Sequence, residues 1–224
     1  MSGVAPAPGR MDPPRDCPRC PRLVALRQRL QDRHPDWYNG PVPSFGDPEA
    51  ALLVVGLAPG AAGANRTGRP FTGDHAGVVL YRALARQGLA NDRFAARRDD
   101  GLELRHCRIT NAVRCVPPGN RPDPGEIAAC RPFLAAELNA PPRPAVALAL
   151  GRIAWEAVLR ALGLPAARHL FAHGAVARLD GGPILVGSYH TSRYNMNTGR
   201  LSEAMFEAVL GEAWRLAQAA PGAA

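Results

Sequence analysis

The sequence contains no lysine: all 27 of its basic side chains are arginine, against 19 acidic ones, for a net charge of +8. A G+C-rich genome accounts for the missing lysine, because its codons favour Arg, Ala and Pro. It does not account for the sign of the balance, which points to a polyanionic partner met by planar, bidentate guanidinium groups. No apolar run approaches the length of a membrane span, so a transmembrane helix is excluded. Met1–Pro14 lacks the apolar centre of a signal peptide and reads as a loose tail, as does Gln218–Ala224. The expected location is therefore the cytoplasm, where thiols stay reduced. Two phosphate-binding patterns are also missing. The GK[ST] ending of a nucleotide loop and the G-x-G-x-x-G of a dinucleotide fold are both absent, which removes the commonest readings of a glycine-rich turn.

What is present is a regular alternation. Apolar runs of strand length occur at Ala51–Leu57, His106–Val113, Ala145–Leu150, Phe171–Leu179 and Ile184–Tyr189. Helical patterns lie between or beside them: Cys17–Asp32, Ala76–Gln87, Pro124–Leu138, Ile153–Leu162 and Leu201–Ala217. Such alternation predicts one α/β domain over 15–217, a three-layer α/β/α arrangement with a central, mainly parallel, four- to five-stranded sheet. Ligands of such sheets bind beyond the carboxyl ends of the strands. Three loops lie there: Gly56–Asp74, Asn111–Gly119 and His190–Gly199.

The chain has five cysteines. Cys17-Pro-Arg-Cys20 has a spacing that brings two thiolates to one metal centre, and Cys115 and Cys130 would complete a four-thiolate site. Cys107 falls inside an apolar run and reads as a buried thiol. Unconnected buried cysteines, a zinc site and a [4Fe–4S] cluster all fit the spacing. Either metal would staple the N-terminal arm to the core.

The first loop, GLAPGAAGANRTGRPFTGD, lets backbone N–H groups approach a ligand at Gly56, Leu57 and Ala58, and sets Phe71 where a flat ring could stack. Asp74 reads as the cap of the following helix. In HTSRYNMNTGRL, His190 stands at the sheet's carboxyl edge. Arg193, Tyr194, Asn195 and Asn197 can contact DNA, with Tyr194 able to press into a base stack. Asn111 can both donate to and accept from a heterocycle's edge.

These segments resemble the uracil-DNA glycosylase superfamily, and specifically its family 5. The first loop is similar to that family's first motif almost throughout. HTSRYNMNTGRL is similar to its last, with Thr191 where many members have Pro. Asn111 falls where the family keeps its pyrimidine-reading Asn, and Cys17, Cys20, Cys115 and Cys130 fall where relatives hold a structural [4Fe–4S] cluster. The resemblance implies a monofunctional glycosylase of base excision repair. It would flip uracil from double- or single-stranded DNA, stack it on Phe71, read it with Asn111 and donate to its oxygen from His190, leaving an abasic site. Other superfamily branches place Asp, Asn or Glu where this chain has Leu57 and Ala58. Asn65 is then the expected partner of the attacking water. Small side chains at Ala58, Ala61 and Ala62 extend the expectation to hypoxanthine, xanthine and hydroxymethyluracil. A monomer is expected. Two rivals are a non-catalytic nucleic-acid-binding module with a Cys₄ metal site and an enzyme of free nucleotides.

Overall fold

The computed structural model describes residues 12–220. Its sheet has six strands in the order β1-β3-β2-β4-β6-β5: β1 (Phe45–Gly46), β2 (Leu52–Gly56), β3 (Cys107–Asn111), β4 (Val146–Leu150), β5 (Val176–Arg178) and β6 (Ile184–Ser188). The four inner strands run parallel, and β1 and β5 pair antiparallel at the two edges. All residues of β2 and β4 are buried. Their unbroken apolar runs follow from being covered on both faces.

Successive side chains of one strand serve opposite layers. Leu52, Val54, Leu148 and Val186 join one core with α3 (His75–Arg86) and α7 (Glu203–Gln218). Leu53, Val55, Ala147 and Leu185 join the other with α4 (Pro124–Asn139) and α5 (Arg152–Ala161). This is the expected three-layer fold. The sixth strand arises because the two-residue β1 lies in a Pro/Gly-rich stretch without strand patterning. The Phe171–Leu179 run contributes only three strand residues.

Helix α1 (Pro21–Arg33) starts after both N-terminal cysteines, with Pro21 at its first turn. It packs outside the sheet, where Leu23 meets Val113, Cys130 and Phe133. Two short helices, α2 (Ala64–Thr67) and α6 (Arg193–Asn197), stand in the loops expected to carry chemistry. They are too short for a 3.6-residue period to register.

The expected tails fall largely outside the described residues. Where they are described, the boundaries shift outward. Asp12 Oδ1 accepts from the Ser44 backbone at 2.9 Å and pairs with Arg114, and α7 continues through Gln218. Arg114 is fully buried and needs that counter-charge; its other partner is Glu137, at 2.9 Å. Glu137 also holds Ser44 and Arg108. The ordered domain therefore begins before residue 15.

Removing one partner of a buried pair costs more than replacing both by apolar groups. Arg114→Met should lose about 3–5 kcal/mol in urea unfolding, and Arg114→Met with Glu137→Leu should recover most of it.

Candidate active site

Gly56 ends β2 at the carboxyl edge of the sheet, paired with Asn111 at the end of β3. A Cβ built on Gly56 would lie 2.4 Å from Asn111 Oδ1 and 2.7 Å from Phe71 Cζ. The amide of one loop and the ring of another thus converge over a residue that must lack a side chain. Phe71 is buried and held at φ 52°, a left-handed conformation costing about 1–3 kcal/mol for a bulky residue. His190 follows β6, and its ring centroid lies 5.8 Å from that of Phe71 at an interplanar angle of 29°.

These side chains line one cleft of about 730 Å³, together with the backbone of Leu57, Ala58 and the loop to Ala64. Asp74 lines it too, as the one carboxylate among the described lining residues. Its Oδ1 caps α3 by accepting from Gly77 N at 3.0 Å. Its Oδ2 faces the loop and would lie 2.9 Å from a Cβ at Gly63. The carboxylate thus both caps a helix and faces the cleft.

The loop carrying His190 is pinned on each side. Thr191 donates its hydroxyl to the Ala76 carbonyl of α3 at 3.1 Å, fully buried, a bond that proline could not make. Asn195 donates its amide to the His190 carbonyl at 2.8 Å, so this expected DNA contact is already committed to holding the histidine. His173 Nδ1 accepts from Tyr189 N at 3.2 Å and stacks on that ring, supporting the residue before His190. Burial lowers the pKa of His173 and His190 below the ordinary imidazole value; for His190 the Asp74 carboxylate partly opposes this. Both rings are therefore neutral at pH 7, each with one N–H to donate.

Arg193 lines the cleft, and Arg193, Tyr194 and Asn197 are exposed, Tyr194 at 72%. An aromatic ring so exposed beside a cleft is placed to meet a stacked duplex. Asn65 is not brought to the cleft. It is fully buried, and its Nδ2 donates to Asn39 Oδ1 at 2.9 Å, because α2 turns the side chain inward against the segment after α1. Asn120, which the sequence did not single out, does line the cleft. The Gly119-Asn120 turn, with both residues at positive φ, was the available signal.

The four selected cysteines line a second cavity, between α1, α4 and the segment after β3. Cys107 does not; it is sealed in the sheet core. Burial, helped by the neighbouring cysteines, pushes the thiol of Cys20 up to about 11 and that of Cys115 to about 12, with Arg27 opposing it at Cys115. Arg27 Nη1 stands 3.6 Å from Cys115 Sγ, and Arg114 N donates to Cys130 Sγ at 3.4 Å. Among the described residues, no three His, Cys, Asp or Glu side chains are gathered closely enough to hold a single metal ion. No helix among them is long and apolar enough to cross a membrane.

A model of the uracil DNA glycosylase superfamily matches residues 43–214, which contain the whole cleft. The chain belongs to the uracil-DNA glycosylase superfamily. Within it, the chain groups with type-5 members. It is 50% identical to a type-5 uracil-DNA glycosylase of Thermus thermophilus, over 90% of this chain and 94% of the relative. It is 46% identical to proteins of that description from Mycobacterium leprae, over 90% of this chain and 91% of the relative, and from Pyrobaculum aerophilum, over 88% of each. The superfamily match places the glycine-rich loop, Asn111 and His190 inside the shared region, and the N-terminal cysteine pair before it.

The two half-buried histidines set an acid limit on the fold. Their stability contribution is complete above the unfolded value of about 6.5 and is lost as pH falls towards the lower folded values. Asp100 and Glu126, held below the carboxylate range, lose theirs only below about pH 4. The melting temperature should therefore fall between pH 6.5 and 5, with a shallower fall in His190→Gln.

Proposed function

We propose that this chain excises uracil from DNA by hydrolysing the bond between the base and the sugar, leaving an abasic site for base excision repair. The observation that carries this is the convergence of Phe71, Asn111 and His190 over Gly56, in one cleft at the carboxyl edge of the sheet. The names of the type-5 relatives support it. A ring, an amide and a neutral imidazole are what a flat, polar-edged heterocycle needs for stacking, edge reading and stabilisation as it leaves. The base must first leave the duplex, at a cost of a few kcal/mol. Arg193, Tyr194 and Asn197 grip the strand beside the gap.

Breaking the C1′–N1 bond sends its electron pair into the uracil ring. The His190 N–H donates to the oxygen on which that charge collects. Water adds to C1′ and loses its proton towards the Asp74 carboxylate, with the Asn120 side chain as the second group near its path. Asp74 and Asn120 replace Asn65 in this role. Small side chains along the loop leave space for larger deaminated bases, hypoxanthine and xanthine among them, and single-stranded DNA is a substrate because it needs no unpairing. The enzyme works as a monomer in the cytoplasm, where its unpaired cysteines stay reduced.

We also propose that Cys17, Cys20, Cys115 and Cys130 hold a [4Fe–4S] cluster that ties the N-terminal arm to α4 and takes no part in the chemistry. What supports the fit is four thiols around one cavity, the ligand number that a cubane takes. Arg27 and the Arg114 backbone supply positive and donor groups to the sulfurs.

A labelled duplex with one U·G pair tests the activity. Strand scission should appear only after hot alkali; binding without scission would replace the enzyme with a binding module. His190→Ala should lower the single-turnover rate by about 10²–10³, and Asp74→Asn by about 10². The rate should show no inflection near pH 6.5, since His190 donates in its neutral form. Inosine- and xanthosine-containing duplexes should also be cut. The purified protein should be brown and absorb near ~400 nm from cluster charge transfer; a colourless, active, zinc-containing sample would remove the cluster.

A further inference from the structure

Phe71 keeps a left-handed backbone that a bulky residue adopts only where its neighbours enforce it. Those neighbours are specific. The Pro70 carbonyl accepts the Tyr81 hydroxyl at 2.7 Å, in a buried contact. On the other side, Thr72 Oγ1 accepts from Arg69 Nε at 2.8 Å and reaches the Pro70 carbonyl at 3.1 Å. The same guanidinium grips Asp100 through two parallel bonds of 2.8 and 2.7 Å. The side chains of this pair are 3% and 1% exposed. The rings of Phe45, Tyr81 and Phe94 surround the guanidinium, with centroids 5.1, 5.7 and 5.9 Å from its central carbon. Asp100 also accepts the backbone N–H groups of Ala95 and Leu102, which gathers the irregular segment 91–104 behind Phe71.

A buried ion pair adds little net stability over an apolar pair of equal volume; its planar, two-bond geometry supplies a fixed distance and orientation. Arg69, Tyr81 and Asp100 do not line the cleft, so none of them touches a bound base. What they share is Phe71, whose backbone they fix from both sides. We infer that the Arg69–Asp100 pair, with the Tyr81 hydroxyl, is a positioning device that holds the Phe71 ring in the plane that receives the flipped base, and that it acts on excision through that ring. The inference rests on the proposed excision of uracil.

The test compares two readouts on one duplex: single-turnover removal of uracil, and equilibrium binding of the same duplex with an abasic site, which offers no base to stack. Asp100→Asn keeps the volume and one accepting oxygen, but loses the charge and turns an NH2 group towards N–H donors that met the other oxygen. It should slow excision about tenfold, while abasic binding stays within about twofold. In a Phe71→Ala background the added Asp100→Asn should change the rate by less than about twofold, because both changes act through one ring. Tyr81→Phe removes a single hydroxyl and should show the same pattern at smaller size; it carries the test if Asp100→Asn does not fold. Three results would overturn the inference: equal losses in both Phe71 backgrounds, a parallel loss of abasic binding, or unchanged excision in both variants. A wild-type protein that leaves uracil in place would overturn the excision reading instead.

Discussion

The absent side chain at position 56 sets the shape of the site. Two loops, one following β2 and one continuing from β3, deliver a ring and an amide to within a methyl group's reach of the same α-carbon. The parallel register of β2 and β3 puts Gly56 opposite Asn111, so the approach is built into the sheet before either loop begins. With Phe71 strained and Asn111 buried, the slot has little freedom to change width. Its narrowness is a property of packing, and only afterwards of hydrogen bonding.

The charges around that slot are sparse. One carboxylate and a neutral imidazole face each other across it, and the loop between them contributes backbone and methyl groups. The loop offers no carboxylate at Leu57 or Ala58, so the titratable side chains of the cleft come from elsewhere. The carboxylate comes from the cap of α3, where it is already held by Gly77 N, and the imidazole from the end of β6. Both are therefore oriented by secondary structure, which tolerates a wide cleft better than a site made of loop side chains would.

Much of this was legible in the residues. The buried strands announce themselves as continuous apolar runs, and the helices by their period and caps, so the layers follow with most boundaries shifted by a residue or two, although α1 starts four residues and β5 five residues later than the patterns predict. Gly56, Phe71, Asn111 and His190 were selected from loops after strands, and the fold brings all four to one place. Other features escaped for local reasons. The helices α2 and α6 are shorter than any period, and the inward rotation that α2 gives Asn65 has no trace in the letters ANRT. Asp74 looked like a cap because it is one, and its second oxygen is a fact of three dimensions. Thr191 looked like a departure from a pattern, but its hydroxyl makes a buried bond to α3.

The place of α1 has a consequence for how the chain comes into being. Leu23 is covered by Val113, Cys130 and Phe133, and Arg22 is held by Glu126, 104 positions further on. Asp12 and Arg114 are separated by 102 positions. Helix α1 thus cannot bury itself against these partners until residues some 100 positions further on have been made. β2 likewise waits for β4 to flank it on its second side. Closing such long loops is slow, and apolar surface stays uncovered meanwhile. The weak apolar face of α1 and its four arginines suit that interval: a segment with five charged side chains in thirteen residues stays solvated while it waits. The arm that carries α1 is thus made well before the residues that secure it.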